Sequence, residues 1–325
     1  MASQLFAQVP PSVQRIGHDL FPQIQLSKQG TVFYPHYSEQ LAFWATTRHS
    51  SPEAPTTSSL DFVHSSVLAT ARQLITAGAP SPIGVLSFAS PKKPGGGYLN
   101  GADEEEDVLA RHSSLVASLS SDAARGFYKE HKFYRNDDGS GLHDHSMVYS
   151  PGVVVFRADP DDPEVTDSIG GTFISPYSLN VVSAVPVNAG MVRAKHTILP
   201  EERQFFEDGI RSAMKERMAR ALRIFEEKGN RTIVLGAFGC GSSQNNVEVV
   251  AAIWAELLVC GDSQPQQAQR TEEAEEGQKA SKTARFKDVF ERVVFAVPGK
   301  LFQPFKSAFE MRVFEAEVSA AASSD

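Results

Sequence analysis

Between Ile83 and Ser114 an apolar run, IGVLSFAS, breaks into a Gly-rich turn, PKKPGGGYLNGA, and then into a block of carboxylates, Asp103, Glu104, Glu105, Glu106 and Asp107, that opens a helix. Residues of these types at this spacing place an anion cradle beside an acid. Three consecutive glycines, Gly95, Gly96 and Gly97, strip every Cβ from one face of the turn and tolerate positive φ, so their backbone N–H groups are expected to approach a phosphate. The start of a helix behind a strand favours such an anion further. Carboxylates a few residues on would lie across from a sugar carried by that phosphate, the arrangement that glycosidic bond cleavage uses. The structural alternative is that acids on a first helical turn only complement the dipole and cap the backbone.

A second strand–turn–helix unit repeats the pattern later in the chain. Thr232–Phe238 (TIVLGAF) reads as a strand, Gly239, Cys240, Gly241, Ser242 and Ser243 as the turn, and Asn246–Val259 as the helix. Two such loops at the carboxyl ends of neighbouring strands can hold one diphosphate from both sides. The supporting elements are read from periodicity. A helix is expected from about Leu60 to Ala77, a strand at Ile83–Ser90, strands at Gly152–Arg157 and Leu179–Val185, an amphipathic helix at 201–228, and a last strand at Arg292–Val297. Alternating strands and helices imply an α/β fold with helices on both faces of a mixed or parallel sheet.

The chain has 325 residues, 41% of them hydrophobic, enough for one large domain with a packed core. A net charge of −8 argues against bulk nucleic-acid binding. Two cysteines, Cys240 and Cys260, build neither a disulfide framework nor a Cys-rich zinc site, and a reducing compartment fits. No apolar leader or membrane span is read, so an intracellular protein, nuclear or cytoplasmic, is expected. His112, His143 and His145 show no metal-ligand spacing and are expected on loops or at the surface. Cys240 lacks a partner base and reads as loop packing.

Taken in order, VLSFASPKKPGGGYLNGADEEEDVLARHSSL, VYSPGVVVFR, SAVPVNAG, RTIVLGAFGCGSSQNN and RVVFAV resemble the microbial-type poly(ADP-ribose) glycohydrolase family, a branch of the macrodomain fold, over roughly Leu60 to Gly299. The resemblance implies a three-layer α/β/α macrodomain-like domain that binds ADP-ribose and hydrolyses ribose–ribose O-glycosidic bonds with no metal or other cofactor. Its partners would be ADP-ribose or poly(ADP-ribose) on modified proteins, met by a monomer. The family signature is three glycines, six to eight residues, then Gln-Glu-Glu. Seven residues separate Gly97 from Glu105-Glu106-Asp107, so Glu105 takes the Gln position and Asp107 that of the final, catalytic Glu. An Asp is shorter by one methylene, about 1.5 Å of reach.

The implied catalytic set is therefore Asp107, Glu106 and Glu105. The adjacent carboxylates are expected to raise one another's pKa. The implied ADP-ribose contacts are Ser87, Ala89, Gly95, Gly96, Gly97, Asn100, Asn188, Gly239, Cys240, Gly241, Ser242, Ser243 and Asn245. Ser87 stands where the family has Asn and Ser243 where it has an aromatic, for which Tyr128 or Tyr134 is a candidate replacement. Asn188 and Asn245 read equally as a turn residue and a helix cap. Two other readings stay open: an ADP-ribose reader with little turnover, and a mono-ADP-ribosyl hydrolase acting on protein or nucleic-acid ends.

Domain boundaries are expected at 1–59, an accessory segment, 60–312, the macrodomain-like domain with a polar insertion at 261–285, and 313–325, a tail. Phe33, Tyr34, Tyr37, Phe43 and Trp44 are too apolar for a free N-terminal arm, so the first segment is expected to pack on the domain. The stretch 49–59 (HSSPEAPTTSS), the linker stretch between the first two segments, reads as a weak point of order.

Overall fold

The computed structural model of the chain describes residues 11–47, 57–80, 82–137, 141–159, 161, 173–195, 198–262 and 283–322. In chain order the elements are α1 (Pro11–Gln29), β1 (Val32–Tyr34), α2 (Glu39–Ala42), β2 (Ser59–Val63), α3 (Val67–Thr76), β3 (Ile83–Phe88), α4 (Glu105–His112), α5 (Leu115–Leu119), α6 (Arg125–Asp137), β4 (Met147–Arg157), β5 (Phe173–Ala184), α7 (Ala189–Lys195), α8 (Arg203–Glu227), β6 (Thr232–Leu235), α9 (Val247–Ala255), β7 (Arg292–Ala296) and α10 (Phe302–Ala322). Seven strands form one mixed sheet in the order β1-β4-β5-β3-β6-β7-β2. From β5 across to β2 all pairs are parallel, while β1 and β4 add an antiparallel flank. Every parallel strand therefore ends on the same edge of the sheet.

Two apolar layers cover the sheet's faces. Met214, Met218, Leu222 and Phe225 of α8 join α9 and α10 on one face, packing on Leu86, Val182, Leu235 and Phe295. Val67, Leu68 and Leu74 of α3, with Leu109, Leu115 and Phe127, pack on Val85, Val181 and Val294 on the other. These layers give the expected three-layer α/β/α arrangement. In β3 the alternation sends Val85 to one layer and Leu86 to the other, and Gly84 admits the Phe225 ring. A Cβ at Gly84 would stand 2.8 Å from Phe225 Cδ1 and 3.0 Å from Ile233 Cγ2, with no flexible side-chain end to yield. Gly84→Ala is expected to destabilise the fold by about 1–3 kcal/mol, read as a lower urea midpoint at unchanged slope.

Sequence and structure differ at several elements. The helix expected from about Leu60 begins instead at Val67. Residues 59–63 form β2, an edge strand paired to β7, because Leu60 and Phe62 find partners some 230 residues downstream that no local period reveals. The N-terminal segment contributes β1 to the sheet itself. Tyr34 is buried, and Trp44 donates to Glu216 Oε2 at 2.7 Å, whereas Tyr37 and Phe43 are exposed. Helix α10 runs on through residues 313–322, where a tail was expected. Of the polar insertion, 263–282 lie outside the described residues. Its last residue, Arg285, is buried and donates to Glu226 Oε2 at 2.8 Å and to the Trp44 carbonyl. Of the linker stretch, 49–56 lie outside them too. Among the described residues no helix is long and apolar enough to cross a membrane.

Candidate functional site

Phe88 of β3, Val185 after β5, Ala237 after β6 and Val297 after β7 all end on one edge of the sheet, and two cavities open there. The larger, about 660 Å³, is walled by Leu68, Phe88, Val297, Pro298 and Leu301 and edged by Asp103, Glu104, Glu105, Asp159 and Asp161. The smaller, about 440 Å³, is walled by Gly96, Gly97, Glu106, Asp107, His143, Asn188 and the second glycine turn. They meet at Phe88, Glu104 and Gly241, which line both. Together they form a bent cleft with an acid-edged apolar end and a backbone-lined end.

The carboxylates of α4 are not equivalent. Asp107 accepts from Gly97 N–H at 2.6 Å through Oδ1 and from Glu104 N–H at 3.0 Å through Oδ2, so it closes the helix start as a capping residue does. Glu106 accepts from Ser90 N–H at 2.5 Å and Gly95 N–H at 3.1 Å. Both are buried, at 2% and 3% exposure for Glu106 and Asp107. Burial pushes the Glu106 carboxyl up to about 8, against the two backbone donors, with Asp107 adding to the rise. Burial also holds Glu105 well above the carboxylate range, ahead of the neighbouring charges. Mutual repulsion, the cause expected from sequence, is therefore secondary to desolvation.

The N–H groups of Gly95–Gly97, expected to approach a phosphate, all have acceptors within the chain, although Gly96 and Gly97 line the smaller cavity. Gly95 N–H is used by Glu106, Gly97 N–H by Asp107 and Gly96 N–H by the Lys93 carbonyl. The glycines serve the acids instead. At Gly96, with φ +57°, a Cβ would stand 2.7 Å from Asp107 Oδ1 and 3.4 Å from Glu106 Oε2. The second turn has the opposite character. Among the described residues, no intramolecular acceptor is found for the N–H groups of Gly239, Gly241, Ser242 and Ser243, while Cys240, Gln244 and Asn245 N–H close the turn onto Ala237, Gly241 and Gly239 carbonyls. Consecutive unpaired amides on a cavity wall make an anion-binding nest.

The remaining candidates sort by position. Ala89, Asn188, Ser242 and Ser243 line the smaller cavity. Asn188 Oδ1 also accepts from Met191 N–H at the start of α7. Ser87 is buried within the sheet opposite Ser183 and lines neither cavity. Asn100 is exposed on the turn beyond the glycines. Asn245 is no helix cap: its Nδ2 donates to the Val187 and Gly239 carbonyls, tying the turn to the β5 end, and Asn246 caps α9. Cys240 packs in the loop, where burial pushes its thiol up to about 12, so it holds no thiolate.

Tyr128 is half-buried and lines neither cavity; the side chain of Tyr134 lies outside the described residues. The aromatic that meets both cavities is Phe88, set edge-on against Phe238 at 5.2 Å. Its signal was positional, the last residue of a strand that feeds the glycine turn. Of the three histidines expected on loops or at the surface, His143 and His145 lie in the loop before β4, and His112 departs from that reading as the last residue of α4. His112 is buried, and His145 is enclosed with its pKa pushed down to about 2 by burial and the nearby Arg217 and Arg220. His143, at φ +57°, stands on the smaller cavity's wall. Among the described residues no three metal-ligating side chains are grouped to hold an ion.

That wall is held from behind. Arg217 of α8, fully buried, donates to the carbonyls of Val185 and Leu142 at 2.9 Å each and of His143 at 3.3 Å. Beside it Asp144 Oδ1 accepts from Ser146 Oγ at 2.6 Å and lies 3.2 Å from His131 Nε2. His143, a non-glycine residue in the left-handed region, is thus held from behind by a buried guanidinium.

A family model described as the microbial-type PARG catalytic domain matches residues 13–158, starting well before the first quoted motif and taking in β1. Among solved structures, the poly(ADP-ribose) glycohydrolase from Thermomonospora curvata is 28% identical over 90% of this chain and 89% of its own, with a TM-score of 0.67. The same enzyme bound to the inhibitor ADP-HPD is 29% identical over 90% of this chain and 88% of its own, at 0.64. The glycohydrolase from Deinococcus radiodurans in complex with ADP-ribose is 28% identical over 90% of this chain and 98% of its own, at 0.67. Among curated proteins nothing matches.

Proposed function

We infer that this chain, a relative of the microbial-type poly(ADP-ribose) glycohydrolases by sequence and by fold, is an ADP-ribosyl hydrolase that seats ADP-ribose along the bent cleft and cleaves the bond to its terminal ribose. The observation that carries the reading is a carboxyl group that keeps its proton to about pH 8, Glu106, on the same cavity wall as a nest of unpaired amides. Charge sets the ligand's direction. The diphosphate belongs against Gly239–Ser243, near Lys92, because the larger cavity is edged by Asp103, Glu104, Asp159 and Asp161 and repels it. The flat base then fills the apolar end beside Phe88, Val297 and Pro298, and the terminal ribose falls near Glu106.

Hydrolysis follows from that seating. Glu106 gives its proton to the leaving oxygen as the C1–O bond breaks, and the ribose carries oxocarbenium character. The Glu106 carboxylate then takes a proton from the attacking water, whose oxygen forms the new C1–O bond, and the acid is restored. Asp107 acts as the positioning carboxylate, fixing Gly97 and the helix start. This assigns to Glu106 the role that the family signature places one residue later.

Incubation with poly(ADP-ribose), followed by chromatography of the products, is expected to release ADP-ribose. A mono-ADP-ribosylated protein run in parallel separates polymer from single-unit specificity. Calorimetric binding of ADP-ribose without release from either substrate would replace the hydrolase reading by that of a reader.

A further inference from the structure

Glu105 is a half-buried acid, its Oε1 enclosed, that the hydrolytic scheme leaves unused. It forms part of the larger cavity's wall, and its carboxyl accepts one hydrogen bond, from Phe88 N–H, while Oε1 is enclosed without any partner. Buried polar atoms are nearly always satisfied, so an orphan oxygen at a cavity wall marks a group that a ligand completes. Among the described residues no cation pairs with Glu105. From its own helix and the turn before it, Glu104 and Asp103 are acids, Glu106 is a third carboxyl that turns negative only above about pH 8, and Arg111 is engaged by Asp103 at 2.6 Å and by the Ala102 carbonyl. His112 Nδ1 lies 2.8 Å from the Val108 carbonyl. From β4 and the residues after it, Arg157 lies over the Phe173 ring at 4.9 Å, and Asp159 and Asp161 are acids. An ionised carboxylate in that place has one backbone donor and no cation to offset its desolvation.

We propose that Glu105 binds the ligand as a neutral carboxylic acid, leaving one oxygen on Phe88 N–H and offering its hydroxyl to a hydrogen-bond acceptor on the flat group in the larger cavity. The proposal rests on the ADP-ribose reading, in which that group is the base. The terminal carboxyl torsion is broad, so the hydroxyl can turn to the wall without a rotamer change. A neutral acid has the donor of a carboxamide, so Glu105 fills the Gln position of the signature with the same hydrogen-bonding sense. Unlike Gln it loses the donor when it ionises. Burial raises the Glu105 carboxyl well above the usual carboxylate range, so ligand affinity is retained below that raised pKa and declines as pH climbs through it and the donor disappears.

The test is calorimetric Kd for ADP-ribose from pH 6 to 10 in wild type, Glu105→Gln and Glu105→Ala, each checked for folding by its thermal transition. Glu106 titrates in the same window, so the comparison is between variants rather than within one profile. The expected result is wild-type-like affinity for Glu105→Gln at pH 6 with the alkaline decline reduced, and roughly tenfold weaker binding for Glu105→Ala at pH 6. Superposable profiles for all three proteins overturn the proposal and leave the ADP-ribose reading standing. A wild type that binds no ADP-ribose at pH 6 overturns that reading, and the proposal with it.

Discussion

Replacing Glu106 by Gln is expected to lower kcat for ADP-ribose release by about 10²- to 10⁴-fold, the span that a positioned acid–base group contributes, while the Kd for ADP-ribose changes only a few-fold. Gln keeps the side chain's length and an oxygen for one of the two backbone donors, Ser90 and Gly95 N–H, but delivers no proton. Wild-type kcat should hold below pH 8 and fall above it, as the acid is lost. Stability carries the same signature. A carboxyl whose folded pKa is raised from 4.5 to about 8 favours the native state fully below pH 4.5, and that contribution is lost as pH climbs toward 8. Each pH unit of the gap is worth about 1.4 kcal/mol, so the wild type should lose several kcal/mol across it and Glu106→Gln should show a flatter dependence. An unchanged kcat in the variant would return the catalytic role to Asp107.

Arg217→Met is expected to be the most damaging single change away from the acids. Two effects compete. Removing a buried guanidinium, whose pKa burial already pushes down to about 10, relieves a desolvation cost. Against that, the carbonyls of Val185, Leu142 and His143 lose their shared donor, and a buried group left unsatisfied costs about 1–3 kcal/mol. The lost tie between the β5 end and the 142–143 loop outweighs the relief of one charge whose Nη atoms have acceptors and whose Nε has none among the described residues. A loss of about 3 kcal/mol or more is expected, seen as a fall of roughly 6 °C or more in Tm. Ligand affinity should fall with it, because Gly141, His143 and Val185 line the smaller cavity. Arg217→Lys keeps the charge but cannot span three acceptors, so it should fall between the two. Equal melting and binding in all three proteins would reduce Arg217 to a passive core residue.

Much of the frame was legible in the chain. Both strand–turn–helix units, β3 to α4 and β6 to α9, show in glycine placement and apolar runs, and glycine-to-acid spacing located Glu105, Glu106 and Asp107, to which the structure adds Glu104 at the meeting of the two cavities. What sequence could not reveal is where hydrogen bonds close. Three adjacent glycines look like free donors until the helix folds back and Glu106 and Asp107 take their N–H groups. Asn245 and Asn246 are indistinguishable as caps until Gly239 and Val187 arrive beside one of them. His131, Asp144, Ser146 and Arg217 are scattered over the chain between residues 131 and 217, and nothing local shows that they share one buried pocket. Edge strand β2 was lost for the same reason, its partner being distant in sequence.

The bond between Gly97 and Asp107, with Gly96 pressed against both acids, has a consequence for how such sequences drift. The glycine triplet and the carboxylates form one heritable unit rather than a ligand site plus a catalytic site. A descendant that loses its acids no longer needs an absent Cβ at position 96, yet keeps the unpaired amides of the other turn. On the proposed function, decay of the triplet among relatives would mark lost hydrolysis, and decay of Gly239–Ser243 lost ligand.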